Sequence, residues 1–282
     1  MKCDNCKSKN IKVLYKLKGF DVAKCGNCGL RFSWPPLKHS YEEGYFTKEQ
    51  KDYFESKDYE EDSKAKLFGT WLKEIEKFVK PEKGKKKKIL DVGCATGVFL
   101  DICKKHCWDC YGIDISKYAT EYARKKFKVK TKAGDLINAK YKDNFFDVVF
   151  MSFFIEHVSN PDEIIKESKR ILKKGGILFV STINEDSLLN LFADIIYKIS
   201  LGVIKKPVEL LHARHHLTHF SEKDIVKIIE KNNFKILDVK KLDLPTDNFG
   251  GGILKDIILK FFYFFQKIFN KEYIVWVIGR KK

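Results

Sequence analysis

Residues 89–100 constrain the fold of this 282-residue chain more than any other segment. An apolar run around Leu90 indicates a strand that is buried on both faces. Gly93 and Gly97 mark a turn where the backbone passes close to a neighbour or a ligand, and a helix-like run follows. Asp91 precedes the turn, and a carboxylate there disfavours a pyrophosphate and favours a ligand with a cationic part. The pattern is typical of a nucleotide-cofactor site.

Further strand-like segments follow in the same half of the chain. Residues 110–116 form a second apolar run containing Asp114, at the spacing where doubly wound folds place an acid against ribose hydroxyls. One carboxylate can accept hydrogen bonds from two vicinal hydroxyls. Asp135 follows a third short strand, and residues 147–152 form a fourth. The sequence therefore predicts parallel strands whose carboxyl ends grip one ligand.

In this order the segments resemble the class I S-adenosylmethionine-dependent methyltransferases. The resemblance covers residues 88–282 and rests on motifs at residues 90–97, 112–115, 134–135, 156–158 and 172–176. These read Leu-Asp-Val-Gly-Cys-Ala-Thr-Gly, Gly-Ile-Asp-Ile, Gly-Asp, Glu-His-Val and Leu-Lys-Lys-Gly-Gly. The resemblance implies an α/β fold with a doubly wound, mostly parallel, Rossmann-like sheet of seven strands. It also implies S-adenosylmethionine as the cofactor.

The same resemblance assigns a set of residues to the cofactor site. They are Asp91, Gly93, Cys94, Gly97, Asp114, Ile115, Asp135, Leu136 and Met151. The glycine turn is expected to line the methionine part of the ligand, with Asp91 near its amino group and the N–H groups of the next helix near its carboxylate. Asp135 and the backbone of Leu136 are expected at the adenine, and an exposed turn aspartate is the alternative. Cys94 departs from the glycine that is more frequent at its position.

Two identical Cys-x-x-Cys pairs, Cys3 with Cys6 and Cys25 with Cys28, are separated by a spacer of the length found in zinc ribbons. A module of about 30 residues cannot be stabilised by burial alone, so metal coordination would provide most of its folding free energy. We therefore predict a four-cysteine zinc ribbon over residues 1–36, with two disulfides or unliganded thiols as the alternative. Four thiolates close a site to water and substrate, so this zinc is expected to be structural or substrate-recognising.

The rest of the chain divides into residues 37–87 and 88–282. The first part combines a linker, a leading helix, and an aromatic segment at 41–59 that either forms a lid over the cofactor cleft or packs as a linker. The second is the expected methyltransferase domain, with a cap insertion at 185–215 where such enzymes place their acceptor-binding cap. Its helix at 252–269 is apolar over nearly its whole surface, which points to the core, a dimer or the membrane interface.

The candidates for catalysis are Glu156, His157, His216 and His219. A neutral imidazole at His157 would remove the proton of an acceptor hydroxyl as the methyl group moves. In the resembled family the Glu-His pair often supports the loop and the cofactor pocket, which is the alternative role. Residues 212–220 gather four histidines and are expected to contact the acceptor, to bind a metal or to pack as a loop.

The net charge of +17 agrees with three kinds of surface. The lysines are spread along nearly every predicted surface, which favours a solvated face, and RNA binding or attraction to an anionic membrane are the alternatives. The first residues lack the apolar core of a secretory signal, and no run approaches the roughly 18 apolar residues of a membrane span. We expect a cytoplasmic protein, with peripheral membrane contact through residues 253–269 as an alternative.

Three functional hypotheses follow. The first is methyl transfer from S-adenosylmethionine to a hydroxyl of a small, glycan or lipid-linked molecule. In support, the turn at 181–184 looks like that of ubiquinone-pathway O-methyltransferases, and a zinc ribbon ahead of this domain resembles methyltransferases that modify sugars. The second is an RNA methyltransferase for ribosomal or transfer RNA, with the ribbon and the basic surface holding the nucleic acid. The third is a non-catalytic, zinc-dependent scaffold with a cofactor-like fold.

Overall fold

The computed structural model of the chain describes residues 1–36, 63–79, 81, 84–243 and 253–282. Two sheets and the helices around them account for most of these residues. The aromatic segment 41–59, predicted as a lid or a packed linker, lies outside the described residues.

The amino-terminal module is built on three short antiparallel strands, β1 (Ile11–Leu17), β2 (Phe20–Cys25) and β3 (Arg31–Trp34). Gly19, in the turn between β1 and β2, has a φ of +84°, a conformation that favours glycine. Each Cys-x-x-Cys pair is closed by a backbone hydrogen bond. The N–H of Lys7 donates to the carbonyl of Cys3 at 2.8 Å, and the N–H of Gly29 donates to that of Cys25 at 3.0 Å. Tight turns of this kind let two thiolates approach one point.

A second sheet forms the centre of the main domain. Its strands are β4 (Lys88–Val92), β5 (Asp109–Asp114), β6 (Lys130–Ala133), β7 (Phe146–Ser152), β8 (Leu172–Ile183), β10 (Phe234–Leu242) and β11 (Ile274–Lys281), and the short β9 (Thr218–His219) belongs to the other sheet. The order is β10-β11-β8-β7-β4-β5-β6. The strands from β8 to β6 are parallel, and β11 is antiparallel to both of its neighbours. This confirms the predicted mostly parallel α/β sheet of seven strands.

Helices connect the strands. They are α1 (Ser63–Glu76), α2 (Val98–Lys105), α3 (Lys117–Phe127), α4 (Pro161–Ile171), α5 (Leu188–Ile199), α6 (Lys206–Leu211), α7 (Glu222–Lys231) and α8 (Ile253–Ile268). Side chains cap several of their first turns: the hydroxyl of Ser116 accepts from the N–H of Ala119 at 3.2 Å, and Ser221 and Asp224 form a capping box before α7. No helix in the described part of the chain combines the length and the apolar character needed to cross a bilayer.

Helices cover both faces of the central sheet, and this is why its strands are apolar on both sides. On one face, Trp71 of α1 and Phe99 of α2 pack against Phe150 of β7, and the rings of Phe99 and Phe150 are stacked with centroids 3.7 Å apart. On the other face, Ile165 of α4 and Ile229 of α7 belong to a second apolar core. The sheet is thus rigidly held, and its carboxyl edge is a fixed platform for a site.

The amino-terminal module is joined to the main domain by strand pairing. β9 pairs antiparallel with β3, placing Arg31 opposite His219, so the small sheet has the order β1-β2-β3-β9. The N–H of Ser33 donates to the carbonyl of Leu217 at 3.1 Å. The N–H of Leu217 in turn donates to the carbonyl of Glu156 at 2.7 Å. Leu217 therefore links the amino-terminal module to the loop that follows the carboxyl end of β7.

Candidate active site

Three aspartates lie at the carboxyl ends of neighbouring strands. Asp91 lies in β4, Asp114 ends β5, and Asp135 follows β6. Asp91 is only 5% exposed, and its burial together with the nearby charge of Asp114 raises its pKa well above the usual range. A ligand with a positive charge would relieve both effects. The structure thus brings to one edge of the sheet the three carboxylates that the sequence assigned to it.

The glycine turn after β4 is shaped by close contacts. Gly93 has a φ of +79°, and a Cβ atom there would lie 2.8 Å from the ring of Phe154. Gly97 has a φ of +84°, and its Cβ would lie 2.7 Å from that of Ala123. Cys94 is buried, so its thiol belongs to the core rather than to solvent. Both glycines are therefore required by the packing of the turn, whatever ligand lies along it.

Asp114 ties the turn to the second strand. One carboxylate oxygen accepts from the N–H of Ala95 at 2.9 Å, and the other accepts from the N–H of Ser116 at 2.9 Å. A carboxylate oxygen can accept more than one hydrogen bond, so ribose hydroxyls remain compatible with this arrangement. Ile115, the next residue, is 55% exposed and presents an apolar side chain to the same edge.

The residues expected near the adenine differ from one another in their exposure to solvent. The exposed carboxylate of Asp135 accepts from the backbone N–H and the side-chain amide of Asn138, at 2.8 and 2.9 Å, and these bonds lower its pKa. Leu136 and Met151 are buried in the apolar core. A cofactor would therefore meet these two residues mainly through their backbone atoms.

Beyond the aspartates, the carboxyl ends of β7 and β8 carry buried polar groups. The hydroxyls of Ser152 and Ser181 have no hydrogen-bond partner among the described residues, and the carboxyl of Glu156 is buried beside the hydroxyl of Thr182. Burial raises the pKa of Glu156 to about 8, so its carboxyl is largely protonated at neutral pH. Buried polar groups in folded proteins are nearly always paired. This part of the edge is thus suited to a ligand that supplies the missing hydrogen bonds.

Three histidines cluster beside these groups. His157 ends the single turn of 3-10 helix at Ile155–His157 that follows β7. Its Nδ1 lies 3.2 Å from the carbonyl oxygen of His215, which can only accept, so Nδ1–H donates, and in a neutral ring Nε2 then carries the lone pair. Burial and the neighbouring imidazoles lower the pKa of His216 to about 2, which keeps that ring neutral. Two of the four catalytic candidates, His157 and His216, are therefore neighbours, with ring centroids 5.0 Å apart.

His219 lies in a separate buried ionic cluster around Glu185. The carboxylate of Glu185 accepts from Arg31 at 3.1 Å and lies 3.1 Å from Nε2 of His212 and 3.6 Å from Nδ1 of His219. The other ring nitrogen of His219 lies 3.0 Å from the hydroxyl of Ser33. Although burial opposes it, the charges of His212 and Arg31 hold the pKa of Glu185 well below its usual range. His219 thus lies where the amino-terminal module meets the main domain.

The four amino-terminal cysteines converge on one point. The sulfur atoms of Cys3 and Cys28 lie 3.6 Å apart, those of Cys6 and Cys25 lie 3.5 Å apart, and all four lie within 4.8 Å of one another. Sulfurs that share a tetrahedral zinc ion at about 2.3 Å lie about 3.8 Å apart. The donor set and its spacing therefore fit a closed zinc site.

Sequence reasoning missed the partners of these clusters. Arg31 and Glu185 are 154 residues apart in the chain, and nothing in the sequence pairs them. His212 and His215 were visible only as members of a histidine-rich segment. The single available signal was the presence of charged and imidazole groups in otherwise apolar surroundings.

A family model described as a methyltransferase domain matches residues 63–239. Among similar proteins, the ubiquinone biosynthesis O-methyltransferase of Pelagibacter ubique is 33% identical over 168 residues, which cover 55% of this chain and 63% of that protein. The enzyme of the same name from Rickettsia typhi is 27% identical over 189 residues, covering 66% and 75%. The chain thus spans just under two thirds of the Pelagibacter relative.

Solved structures share the fold at lower identity. A methyltransferase from Thermotoga maritima superimposes with a TM-score of 0.54 at 23% identity, covering 84% of this chain and 97% of that one. A methyltransferase from Archaeoglobus fulgidus gives 0.52 at 19% identity, covering 77% and 94%. Both structures are described as dependent on S-adenosylmethionine. At these identities the likeness concerns the fold alone.

Proposed function

This chain belongs to the methyltransferase-domain family and is an S-adenosylmethionine-dependent enzyme, and from that premise we propose that it methylates a hydroxyl oxygen of a small molecule. Two of its relatives are named ubiquinone biosynthesis O-methyltransferases. The observation that carries the proposal is the set of buried, unpaired polar groups beside His157 at the ends of β7 and β8.

The carboxyl ends of β4, β5 and β6 would hold the cofactor, which supplies a methyl group already activated on a sulfonium sulfur. Asp91 would face its cationic amino acid part, and Asp114 would accept from its ribose hydroxyls. The turn residues Gly93, Cys94 and Gly97 would pass along its methionine part. Because the methyl group is already activated, the main work of the protein is positioning.

The groups at β7 and β8 would orient the acceptor. Nε2 of His157 would take the proton of the hydroxyl as its oxygen attacks the methyl carbon. The protonated carboxyl of Glu156 would donate a hydrogen bond to the acceptor, together with the hydroxyl of Thr182. His216 would line the same space, whereas His219 would position the loop through its contacts with the amino-terminal module.

We also propose that the four cysteines hold one structural zinc ion. Four thiolates fill the tetrahedral coordination of zinc, so the site would leave no position for water or substrate. β3 of this module pairs with β9, and the loop before β9 carries His215 and His216. Zinc in the module would therefore support the acceptor side of the active site without taking part in chemistry.

An exposed apolar surface supports an acceptor with a lipid tail, presented at an anionic bilayer. It consists of Leu191, Phe192, Ile195, Ile199, Leu201, Val203, Ile204, Leu210, Phe261, Phe264, Ile268 and Phe269, each at least 40% exposed. α5 and α8 meet within it, since the rings of Phe192 and Phe262 lie 5.5 Å apart. The exposed Lys267 on α8 would attract anionic headgroups, whereas Lys198 on α5 already pairs with Asp194 at 2.6 Å.

The test is methyl transfer from cofactor labelled in its methyl group. The zinc-loaded protein is incubated with a prenylated catechol, an unprenylated catechol, a sugar acceptor and total RNA, and products are identified by mass spectrometry. We expect a methyl ether on a catechol, with the prenylated compound preferred. Label in RNA alone would replace this proposal with a nucleic-acid methyltransferase, and no cofactor binding by calorimetry would favour a scaffold.

A further inference from the structure

A second group of metal-ligand side chains lies on the acceptor side of the edge. One ring nitrogen each of His157, His215 and His216 can be chosen so that the three atoms lie within 4.8 Å of one another. The rings of His157 and His215 are parallel with centroids 5.4 Å apart, and the ring of His216 lies edge-on to both, at 5.0 and 4.7 Å. Two nitrogens bound to one zinc ion lie about 3.4 Å apart, so small ring rotations would bring all three into coordination.

The backbone around the cluster holds the imidazoles in place. Nδ1–H of His157 donates to the carbonyl of His215 at 3.2 Å. A hydrogen bond of this kind from the second ring nitrogen to a carbonyl is what orients histidines that bind metals. The N–H of His216 donates to the carbonyl of Ala213 at 2.9 Å and closes the turn that carries both loop histidines. The cluster is therefore arranged before any ion binds.

The neighbouring trio of Glu185, His212 and His219 also has ligand atoms within 4.8 Å of one another. It differs because the guanidinium of Arg31 lies 3.1 Å from the carboxylate of Glu185 and already supplies the positive charge. A metal ion there would have to displace a buried ion pair. The three-histidine cluster offers imidazole nitrogens alone, and an imidazole binds a metal ion through the lone pair of a ring nitrogen.

We propose that His157, His215 and His216 bind one divalent transition-metal ion of the zinc class. Imidazole nitrogens are suitable ligands for such ions. All three side chains are partly exposed, and three ligands leave the fourth position of a tetrahedral ion open, as in catalytic zinc sites. The site is thus the open counterpart of the closed cysteine site.

The role of the ion rests on the proposed methyl transfer, although the site itself does not. An ion at the cluster would bind the acceptor oxygen and favour loss of its proton to solvent. The oxygen–carbon bond then forms as the sulfur–carbon bond breaks, and the electron pair of the broken bond stays on sulfur as a neutral thioether. In protein that holds the ion, His157 would be a ligand and the ion would activate the hydroxyl, whereas in ion-free protein Nε2 of His157 would take the proton.

Zinc content measures the site directly. Full-length protein is equilibrated with excess zinc, transferred to metal-free buffer, and its zinc per chain is counted by mass spectrometry. We expect one equivalent fewer in the double variant His215→Ala, His216→Ala than in the wild type. The matched control is His106→Ala, since His106 is an exposed surface histidine whose Nδ1 lies 3.3 Å from Glu76. It should keep the wild-type zinc content.

Cobalt substitution shows whether the double variant is folded, because the thiolate-to-cobalt absorption band reports the cysteine site alone. With that band unchanged, equal zinc content in the wild type and the double variant would overturn the metal site. Wild-type protein that transfers methyl groups at the full rate after the second equivalent is removed would overturn the role of the ion. That result would leave the proposed function standing.

Discussion

The two halves of the sheet edge are assembled in different ways. The donor half is the set of turns that directly follow β4, β5 and β6, and its polar residues lie within residues 91–138. The acceptor half combines residues 152–157, 181–185 and 212–219 with β3 of the amino-terminal module. In the donor half each side chain is placed by its own strand and turn. In the acceptor half, the histidine cluster and the ionic cluster around Glu185 are assembled from parts of the chain that are distant in sequence.

The two halves also differ in the number of large apolar residues that are exposed. In the described part of the donor half, Ile115 is the one large apolar residue that is strongly exposed. The helices on the acceptor side carry the twelve-residue apolar surface defined above. A donor site needs only a fixed shape for one cofactor. Under the proposed function, the acceptor would reach its site from that apolar surface.

The largest expected effect is the loss of stability caused by replacing Glu185 in the acceptor half. Glu185→Ala removes a buried carboxylate and leaves Arg31, His212 and His219 without their common partner, so we expect the free energy of unfolding to fall by about 3 kcal/mol. Denaturant titration measures it. Cofactor affinity should change little, because Glu185 belongs to the acceptor half.

The adjacent carboxylate provides the matched control for that experiment. Asp186 is 47% exposed and lies 3.8 Å from Arg31, so Asp186→Ala should cost about 0.5 kcal/mol or less. If the two variants were equally stable, the buried ionic cluster would not hold the module to the domain. If Glu185→Ala weakened cofactor binding strongly, the two halves would not be independent.

The second effect concerns the donor half. Asp114→Ala removes the acceptor for two backbone N–H groups and for the proposed ribose contacts, so the affinity for S-adenosylmethionine should fall at least about tenfold. Titration calorimetry measures it. Asp109→Ala is the control, since Asp109 begins the same strand at its opposite end and pairs with Lys130 at 2.7 Å. Equal affinities of the two variants for S-adenosylmethionine would show that Asp114 does not contribute to cofactor binding.

The contrast between the halves explains what the sequence could predict. Buried parallel strands produce apolar runs, and a turn with two glycines at positive φ leaves its mark in the sequence, so the sheet and the donor aspartates were predictable. The strand pairing of β3 with β9 involves two residues on each side, which is too short to leave a pattern. For the same reason the sequence could not tell that His219 faces the amino-terminal module while His216 faces His157.

The smallest effect is expected at the apolar surface. Phe264 is 62% exposed on α8, and Phe264→Ser should weaken binding to vesicles of anionic phospholipid about three- to fivefold, because one of several inserting side chains is lost. Vesicle co-sedimentation at low and high salt measures it. Val13→Ser is the control, since Val13 is 38% exposed on β1 and is not among the twelve residues of this surface. Equal binding of both variants, or binding to neutral vesicles as tight as to anionic ones, would show that the acceptor half does not rest on an anionic bilayer.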